Sequence, residues 1–313
     1  MYEILRRAGP PAAPRSPLDG LGVEHLVLDR WGPIGDDDVP DADVIIATWW
    51  ETAEWVAALS PAKGAKVYFV QGHEVYPWLP QARARATYRL PLQKIVISRW
   101  LEEIMRLEYG DRTSYLVPNA VDHDLFYAPP RGKQRRPTVG LLFSTTEFKG
   151  FDLTLSALES VREVFPDLRV LTFGMEFPPQ TLPSFVEYLR DPPQDSLRSI
   201  YASCDAWLTA SSSEGFNLPA MEAMACRTPV VATRTGWPAE AVVDGINGAL
   251  VPFNDPLALA QQTVRLLGLP AEQWIRVSEQ AFETVRLSTW ARSADLFEHA
   301  LQRASASPSL EKR

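Results

Sequence analysis

The sequence has little cysteine, no excess of positive charge and no long hydrophobic run. Two cysteines among 313 residues, Cys204 and Cys226, do not suffice for a disulfide framework and fit a reducing compartment. The net charge of -8 argues against a general nucleic-acid binder, which needs a basic surface. No apolar run reaches the roughly 18 residues of a membrane span, and the N-terminus lacks the apolar core of a signal peptide. We expect a cytoplasmic protein that contacts a membrane peripherally at most.

Short apolar runs alternate with helical segments along most of the chain. Buried strands are predicted at 25–29, 43–48, 66–71, 94–98, 114–117, 138–143, 169–173, 206–209, 229–233 and 248–251. Helices are predicted at 50–59, 78–90, 98–109, 151–165, 256–267, 271–286 and 289–304. This alternation predicts βαβ units, hence an α/β fold with parallel sheets. The proline-rich stretch 128–137 is the best candidate for a linker.

Two carboxylates, Glu214 and Glu222, stand eight residues apart on either side of a Gly-Phe-Asn turn and Pro219. Because proline suits the first turn of a helix, Glu214 is predicted in a loop and Glu222 on the helix that follows. Carboxylates accept hydrogen bonds from hydroxyls, and backbone N–H groups at a helix start bind phosphate. A sugar joined to a nucleotide diphosphate offers both kinds of group.

Five motifs in one order resemble the retaining family 4 glycosyltransferases, which have the GT-B fold. They are Pro-Asn-Ala-Val-Asp at 118–122, Phe-Lys-Gly at 148–150, the Glu-x7-Glu pair, Gly-Trp-Pro-Ala-Glu at 236–240 and Asp-Gly-Ile-Asn-Gly at 244–248. The resemblance is strongest from about residue 94 to 251. It implies two Rossmann-like doubly wound domains facing across a cleft. We expect an acceptor-side domain at 1–130, a donor domain at 131–287, and a segment at 288–313 whose helix packs back toward the first domain.

The resemblance also implies roles for single residues in the cleft. Lys149 would neutralise the donor diphosphate, Glu214 would contact the transferred sugar, and Glu222 would bind the ribose hydroxyls. The other donor-binding candidates are Gly215, Phe216, Asn217, Leu218, Ser144, Thr145 and Gly150. Each charged group also has a purely structural alternative. Lys149 would be a solvated lysine, Glu214 a loop carboxylate, and Glu222 a glutamate favoured by the helix dipole.

Candidates on the acceptor side lie at the ends of predicted strands. His73, the third catalytic candidate, would bond a sugar hydroxyl, Glu74 would receive the acceptor proton, and Arg99 would meet a phosphate. A local packing or capping role is the alternative for His73 and Glu74. The stretch 78–89 is basic with interleaved aromatic residues, and it fits either a phosphorylated lipid or anionic membrane surface, or a solvated helix face.

The sequence departs from the family pattern at three kinds of position. Ser144 stands where an arginine usually partners the lysine, and Ala120 and Arg227 stand where glycines are usual. Residues 1–29 contain no glycine-rich loop after a first strand, and the N-terminal domain is therefore expected to be abbreviated. Either the true N-terminus is missing or the acceptor side has been remodelled.

We expect a retaining glycosyltransferase that moves a sugar from a nucleotide-diphosphate donor to a hydroxyl of a glycan, lipid-linked or small-molecule acceptor. The sequence contains no cluster of metal ligands, and GT-B enzymes generally work without a catalytic metal, so no cofactor is expected. The alternative is a non-catalytic nucleotide-sugar-binding or partner subunit, favoured by Ser144 and by the missing N-terminal loop. A GT-B epimerase or phosphorylase is a weaker third possibility.

Overall fold

The computed structural model describes residues 21–178 and 182–306, which form two parallel-sheet domains. The first sheet has four strands in the order β1-β2-β3-β4, and every neighbouring pair is parallel. Its strands are β1 (Val44–Ala47), β2 (Ala65–Val70), β3 (Gln93–Val96) and β4 (Tyr115–Leu116). The connecting helices are α1 (Trp50–Ala58), α2 (Gln81–Thr87) and α3 (Arg99–Tyr109). Each parallel pair is thus joined by a crossover connection, as βαβ units require.

The second sheet has six strands in the order β10-β9-β8-β5-β6-β7, again all parallel. Its strands are β5 (Thr138–Leu142), β6 (Arg169–Gly174), β7 (Val186–Arg190), β8 (Ala206–Thr209), β9 (Val230–Thr233) and β10 (Gly248–Val251). Its helices are α4 (Phe151–Val164), α5 (Gln194–Ala202), α6 (Leu218–Ala225), α7 (Pro238–Ala241), α8 (Pro256–Leu267) and α9 (Ala271–Val285). Residues of β9 and β10 are buried throughout because helices cover both faces. The predicted pair of doubly wound α/β domains is confirmed.

One predicted strand was wrong, and a strand and a helix elsewhere were not predicted. Residues 25–29 form no strand, and Leu26 and Val27 are exposed, since no neighbouring strand pairs with them. Conversely, β7 and α5 were not predicted. The strand β7 is an edge strand with alternating burial, and the two prolines at 192–193 separate it from α5 without a longer loop.

The last described helix, α10 (Trp290–Ala306), returns to the first sheet. Its Ala300 and Ala304 are buried in a small apolar core with Val67 and Ile95 of β2 and β3. Phe297 meets Phe69 edge to face, with ring centroids 5.1 Å apart. The chain therefore crosses between the domains twice. None of the described helices is both long enough and apolar enough to span a membrane.

The stretch between the domains is held against the second domain by arginines. The Arg131 guanidinium donates to the carbonyl of Cys204 at 2.6 Å and to Thr228 Oγ1 at 2.7 Å, and it lies over the Trp274 ring. Arg227 has φ +61°, which explains why glycine is usual there. Its guanidinium donates to the carbonyl of Ala128 at 2.9 Å, so side-chain contacts offset a backbone strain of about 1 to 2 kcal/mol.

Candidate active site

A cleft of about 380 Å³ lies between the domains, at the carboxyl ends of both sheets. Parallel α/β sheets bind ligands at this edge. The first domain contributes Gln71, Tyr76, Ile97 and Asn119 to its lining. The second contributes the ends of β5 and β8, Phe148, Lys149 and most of the stretch 211–219. The cleft thus includes six of the predicted residues: Lys149, Glu214, Gly215, Phe216, Asn217 and Leu218.

The Lys149 ammonium and the Glu214 carboxylate form an ion pair in this cleft. Lys149 Nζ lies 2.9 Å from each carboxylate oxygen, and Ser211 Oγ donates to Glu214 Oε1 at 2.7 Å. The Glu214 N–H donates to Thr235 Oγ1 at 3.0 Å, which fixes the backbone of the loop. The Glu214 side chain is 10% exposed and that of Lys149 is 30% exposed. Lys149 is the only cation among the described residues that line the cleft.

Helix α6 presents unpaired backbone donors to the same cleft. Asn217 caps the helix in the left-handed region, with φ +84°, and its side chain accepts from the Ala220 N–H at 3.3 Å. The N–H groups of Phe216, Asn217 and Leu218 donate no hydrogen bond within the described ranges. The Leu218 N–H lies at the positive end of the helix dipole and the other two directly precede it, so the three could together bind an anion beside the Lys149 ammonium.

The two domains touch directly at Gly215. A Cβ on Gly215 would lie 1.8 Å from the carbonyl oxygen of Gln71, which belongs to the first domain. Ser98 Oγ, at the start of α3, donates to the Gly215 carbonyl at 2.8 Å. Only glycine permits this approach of two backbones. The contact closes one side of the cleft and holds the Glu214 loop against the first domain.

Glu222 does not line the cleft with Glu214. It lies in the second turn of α6, and its Oε2 accepts from the Tyr201 hydroxyl at 2.6 Å. Burial raises the pKa of Glu222, and the bond from Tyr201 partly opposes that rise. The carboxylate therefore has a hydroxyl as its partner in this structure.

Ser144, Thr145 and Gly150 line a neighbouring cavity of about 620 Å³ that shares Phe148 with the cleft. Ser144 Oγ accepts from the Thr146 N–H at 3.1 Å, and the Thr145 N–H donates to Glu176 Oε2 at 2.6 Å. The first bond lies within the loop after β5, and the second joins that loop to the loop after β6. Apart from Glu222, which lines neither, the predicted donor-binding residues are therefore divided between two adjacent cavities.

His73 and Glu74 are turned into the first domain and do not line the cleft. His73 Nε2 lies 2.6 Å from the Tyr109 hydroxyl, and burial lowers the pKa of His73. Glu74 Oε2 accepts from the N–H of Trp50, at the start of α1, at 2.8 Å and from the Tyr68 hydroxyl at 3.2 Å. Burial raises the pKa of Glu74 to about 7.

The cationic side chains predicted near the acceptor face carboxylates. Arg99 bridges the domains, with its N–H donating to Glu240 Oε1 at 3.2 Å and its Nε 3.6 Å from Glu240 Oε2. On the basic stretch, Arg83 pairs with Glu54 and Arg85 pairs with Glu108. Arg89 differs, because its guanidinium donates to the carbonyl of Glu108 at 3.1 Å and lies over the Tyr109 ring.

The sequence analysis named Trp78 and Phe148 within two separate motifs, but it did not predict that they meet Tyr76 at the mouth of the cleft. Tyr76 and Trp78, from the loop after β2, stack with Phe148 of the second domain. The available signal was an aromatic pair in a loop directly after a buried strand. Within the ranges that the structure describes, no group of three or more His, Cys, Asp or Glu residues could hold a metal ion.

The fold and this cleft are those of a GT-B protein, and comparisons with known proteins agree. Residues 136–268 match the family model described as glycosyl transferases group 1. A D-inositol 3-phosphate glycosyltransferase of Corynebacterium diphtheriae is 36% identical over 168 residues, which is 49% of this chain and 39% of the relative. The chain thus spans about two fifths of the length of that relative.

Solved structures are similar over most of the chain. Sucrose-phosphate synthase from Thermosynechococcus elongatus is 21% identical, with a TM-score of 0.69 over 85% of this chain and 74% of that one. Anabaena HepE in complex with UDP-glucose is 19% identical, with a TM-score of 0.68 over 85% and 79%. At this identity the likeness shows the fold, which is GT-B. The family match adds that the second domain is similar to glycosyl transferases group 1.

Proposed function

We propose that this chain transfers a sugar from a nucleotide-diphosphate sugar to an acceptor hydroxyl with retention of anomeric configuration. The observation that carries the proposal is the Lys149–Glu214 ion pair beside the unpaired N–H groups of residues 216–218. One half of this arrangement suits a diphosphate and the other suits sugar hydroxyls. The similarity to HepE, whose structure contains UDP-glucose, supports a nucleotide-sugar donor.

Charge stabilisation is the main work that these residues would perform. The bond between the anomeric carbon and the phosphate oxygen breaks, and the acceptor oxygen bonds to the same face of that carbon. The acceptor proton passes to an oxygen of the departing diphosphate. Lys149 and the N–H groups of α6 would stabilise the charge that develops on that leaving group, without a metal ion. Glu214, already oriented by Ser211 and Thr235, would orient the sugar hydroxyls.

Glu222 fits the ribose within the same proposal. Glu222 lies outside the lining of the cleft and its Oε2 accepts from Tyr201, so a ribose hydroxyl would have to reach its other carboxylate oxygen. Ser144 would contribute a hydroxyl where a cation is usual. Lys149 would then carry the diphosphate charge with the backbone donors alone, and we expect moderate donor affinity.

A panel of UDP-, GDP- and ADP-sugars with simple sugar acceptors tests this function by release of nucleotide diphosphate. Wild type should release nucleotide from at least one donor, and Lys149→Ala and Glu214→Ala should abolish most of that release. Release that neither substitution changes would refute the site.

A non-catalytic nucleotide-sugar-binding subunit is the second candidate. The internally satisfied Lys149–Glu214 pair and the uncharged Ser144 favour it. Calorimetry distinguishes the two candidates, because donor binding without release from any donor supports the binding subunit and rules out the transferase.

A further inference from the structure

Three aromatic rings meet at the mouth of the cleft, and they come from both domains. Tyr76 and Trp78 stack with centroids 4.8 Å apart and planes 4° apart, and Tyr76 and Phe148 stack at 5.1 Å and 14°. Trp78 and Phe148 lie 5.9 Å apart at 18°. All three rings are therefore nearly parallel.

The distances show that Tyr76 does not separate the other two rings. A ring sandwiched between two others would hold the outer centroids about 7 Å or more apart, since stacked carbon atoms lie at roughly 3.5 Å. Trp78 and Phe148 are closer than that. The three rings thus form one aromatic cluster, in which Tyr76 and the Lys149 ammonium contact Phe148 and Trp78 is the most exposed ring.

The aromatic cluster is accessible at Trp78, and it adjoins the Lys149–Glu214 ion pair through Phe148. Trp78 is 61% exposed, although it is a large apolar side chain in an ordered stack. Phe148 lines the cleft, directly precedes Lys149, and has the Lys149 ammonium 5.4 Å from its ring centroid. Trp78 lies one ring further from Lys149, toward solvent. The aromatic cluster thus lies next to the ammonium that would bind the donor diphosphate.

We propose that the exposed Trp78 ring, held in place by Tyr76 and Phe148, is a stacking platform for a pyranose ring of the acceptor. A pyranose has a flat face of C–H groups that packs on an aromatic ring, while its hydroxyls point outward toward polar partners. Gln71 and Ser213 line the same cleft and supply such partners. This inference rests on the proposed transferase function, and it makes a carbohydrate the acceptor class.

The platform also depends on how the domains are placed. Tyr76 and Trp78 belong to the first domain and Phe148 to the second, so the aromatic cluster exists only while the domains are apposed as they are at Gly215. The donor loop and the acceptor surface are therefore assembled by the same closure.

Saturation-transfer NMR with the methyl glycosides of glucose, galactose, mannose and N-acetylglucosamine tests the platform. At least one glycoside should receive saturation at its ring C–H protons. Trp78→Ala should reduce that signal about two- to tenfold, as the loss of one aromatic stack predicts, and Trp78→Phe should keep part of it. Trp31→Ala is the matched control, because Trp31 is another exposed tryptophan of the first domain. No signal with any glycoside, or a signal that survives Trp78→Ala, overturns the platform.

Two further measurements separate this proposal from the function on which it rests. A nucleotide sugar that wild type binds should leave the glycoside signal in place, and its displacement of the glycoside would mean that the platform holds the donor sugar. Affinities for UDP, GDP and ADP test the donor half. Wild type that binds none of them, yet shows the Trp78-dependent signal, refutes the proposed transferase and leaves a carbohydrate site.

Discussion

The two domains present different chemistry to the cleft. The second domain offers one ion pair and a helix start with unpaired N–H groups, both suited to a charged and hydroxylated ligand. In the first domain, the candidates His73 and Glu74 form their hydrogen bonds within the domain. His73 is bonded to Tyr109, Glu74 caps α1, and the first domain faces the cleft with Tyr76 and Gln71.

This difference teaches how one cleft can divide the recognition of two substrates. A diphosphate needs charge and directional donors, which the strand ends and helix start of a parallel sheet supply. An uncharged sugar needs area and shape, which aromatic side chains supply. The comparison predicts that substitutions of charged residues in the second domain lower activity, whereas those in the first domain mainly change stability.

The largest effect is expected from Lys149→Ala. Removing the only described cation of the cleft leaves the leaving-group charge to backbone donors, so kcat should fall by about 10²- to 10³-fold. Nucleotide release under saturating donor measures it. Lys63→Ala is the matched control, since Lys63 pairs with Asp41 at 2.8 Å outside the cleft. An equal loss of kcat in Lys149→Ala and Lys63→Ala would contradict the assignment of Lys149 to the leaving group.

Gly215→Ala tests whether the closeness of the domains matters. The added Cβ meets the Gln71 carbonyl at 1.8 Å, so the backbones must move apart. Displacing the Glu214 loop by an ångström should lower kcat/KM by about 100-fold. Gly132→Ala, where a Cβ meets nothing within 4 Å, should leave it unchanged. A fully active Gly215→Ala enzyme would show that the contact is dispensable.

Glu74→Gln separates stability from catalysis in the first domain. Burial raises the folded-state pKa of Glu74 from 4.5 to about 7, so the folded state holds the proton more tightly than the unfolded state. Between these values, stability falls as pH rises, by about 3 kcal/mol in total.

The amide of a glutamine cannot ionise and accepts the same two hydrogen bonds. Glu74→Gln should therefore remove the fall in stability with rising pH, measured as urea midpoints from pH 4.5 to pH 8. The surface substitution Glu54→Gln should leave this pH dependence unchanged. Nucleotide release that collapses in Glu74→Gln at neutral pH would instead restore Glu74 as the proton acceptor.

The smallest effect is expected from Arg99→Ala. An exposed ion pair such as Arg99–Glu240 contributes about 0 to 1 kcal/mol, so the melting temperature and the KM for the donor should barely change. Glu240→Gln should behave alike, because both substitutions break the same pair. A severalfold rise in donor KM in Arg99→Ala alone would mean that this arginine meets a phosphate after all.

The predictability of the fold differs from strand to strand, in both domains. Buried parallel strands such as β9 are continuous apolar runs, and the sequence predicts them directly. The run at 25–29 has the same local composition but no partner strand, and a partner is not visible in local sequence. The edge strand β7 alternates in burial instead, so its apolar signal is weak.

The same limit applies to the site. Glu214, Lys149 and the start of α6 come from motifs with fixed spacing, and the structure brings them into one cleft. His73 and Glu74 were placed by their position after a strand. Their orientation depends on Tyr109 and Trp50, which are distant in sequence, so no local pattern could give it.

Helix α10 has a consequence for the order in which this protein folds during synthesis. The face of the first sheet that holds Val67 and Ile95 is covered by residues near position 300. That sheet leaves the ribosome early, yet its apolar face has no cover until the last described helix emerges. We expect the second domain to complete its core first, although it is synthesised later. Helix α10, which follows it in the chain, then covers the first sheet and completes the core of the first domain.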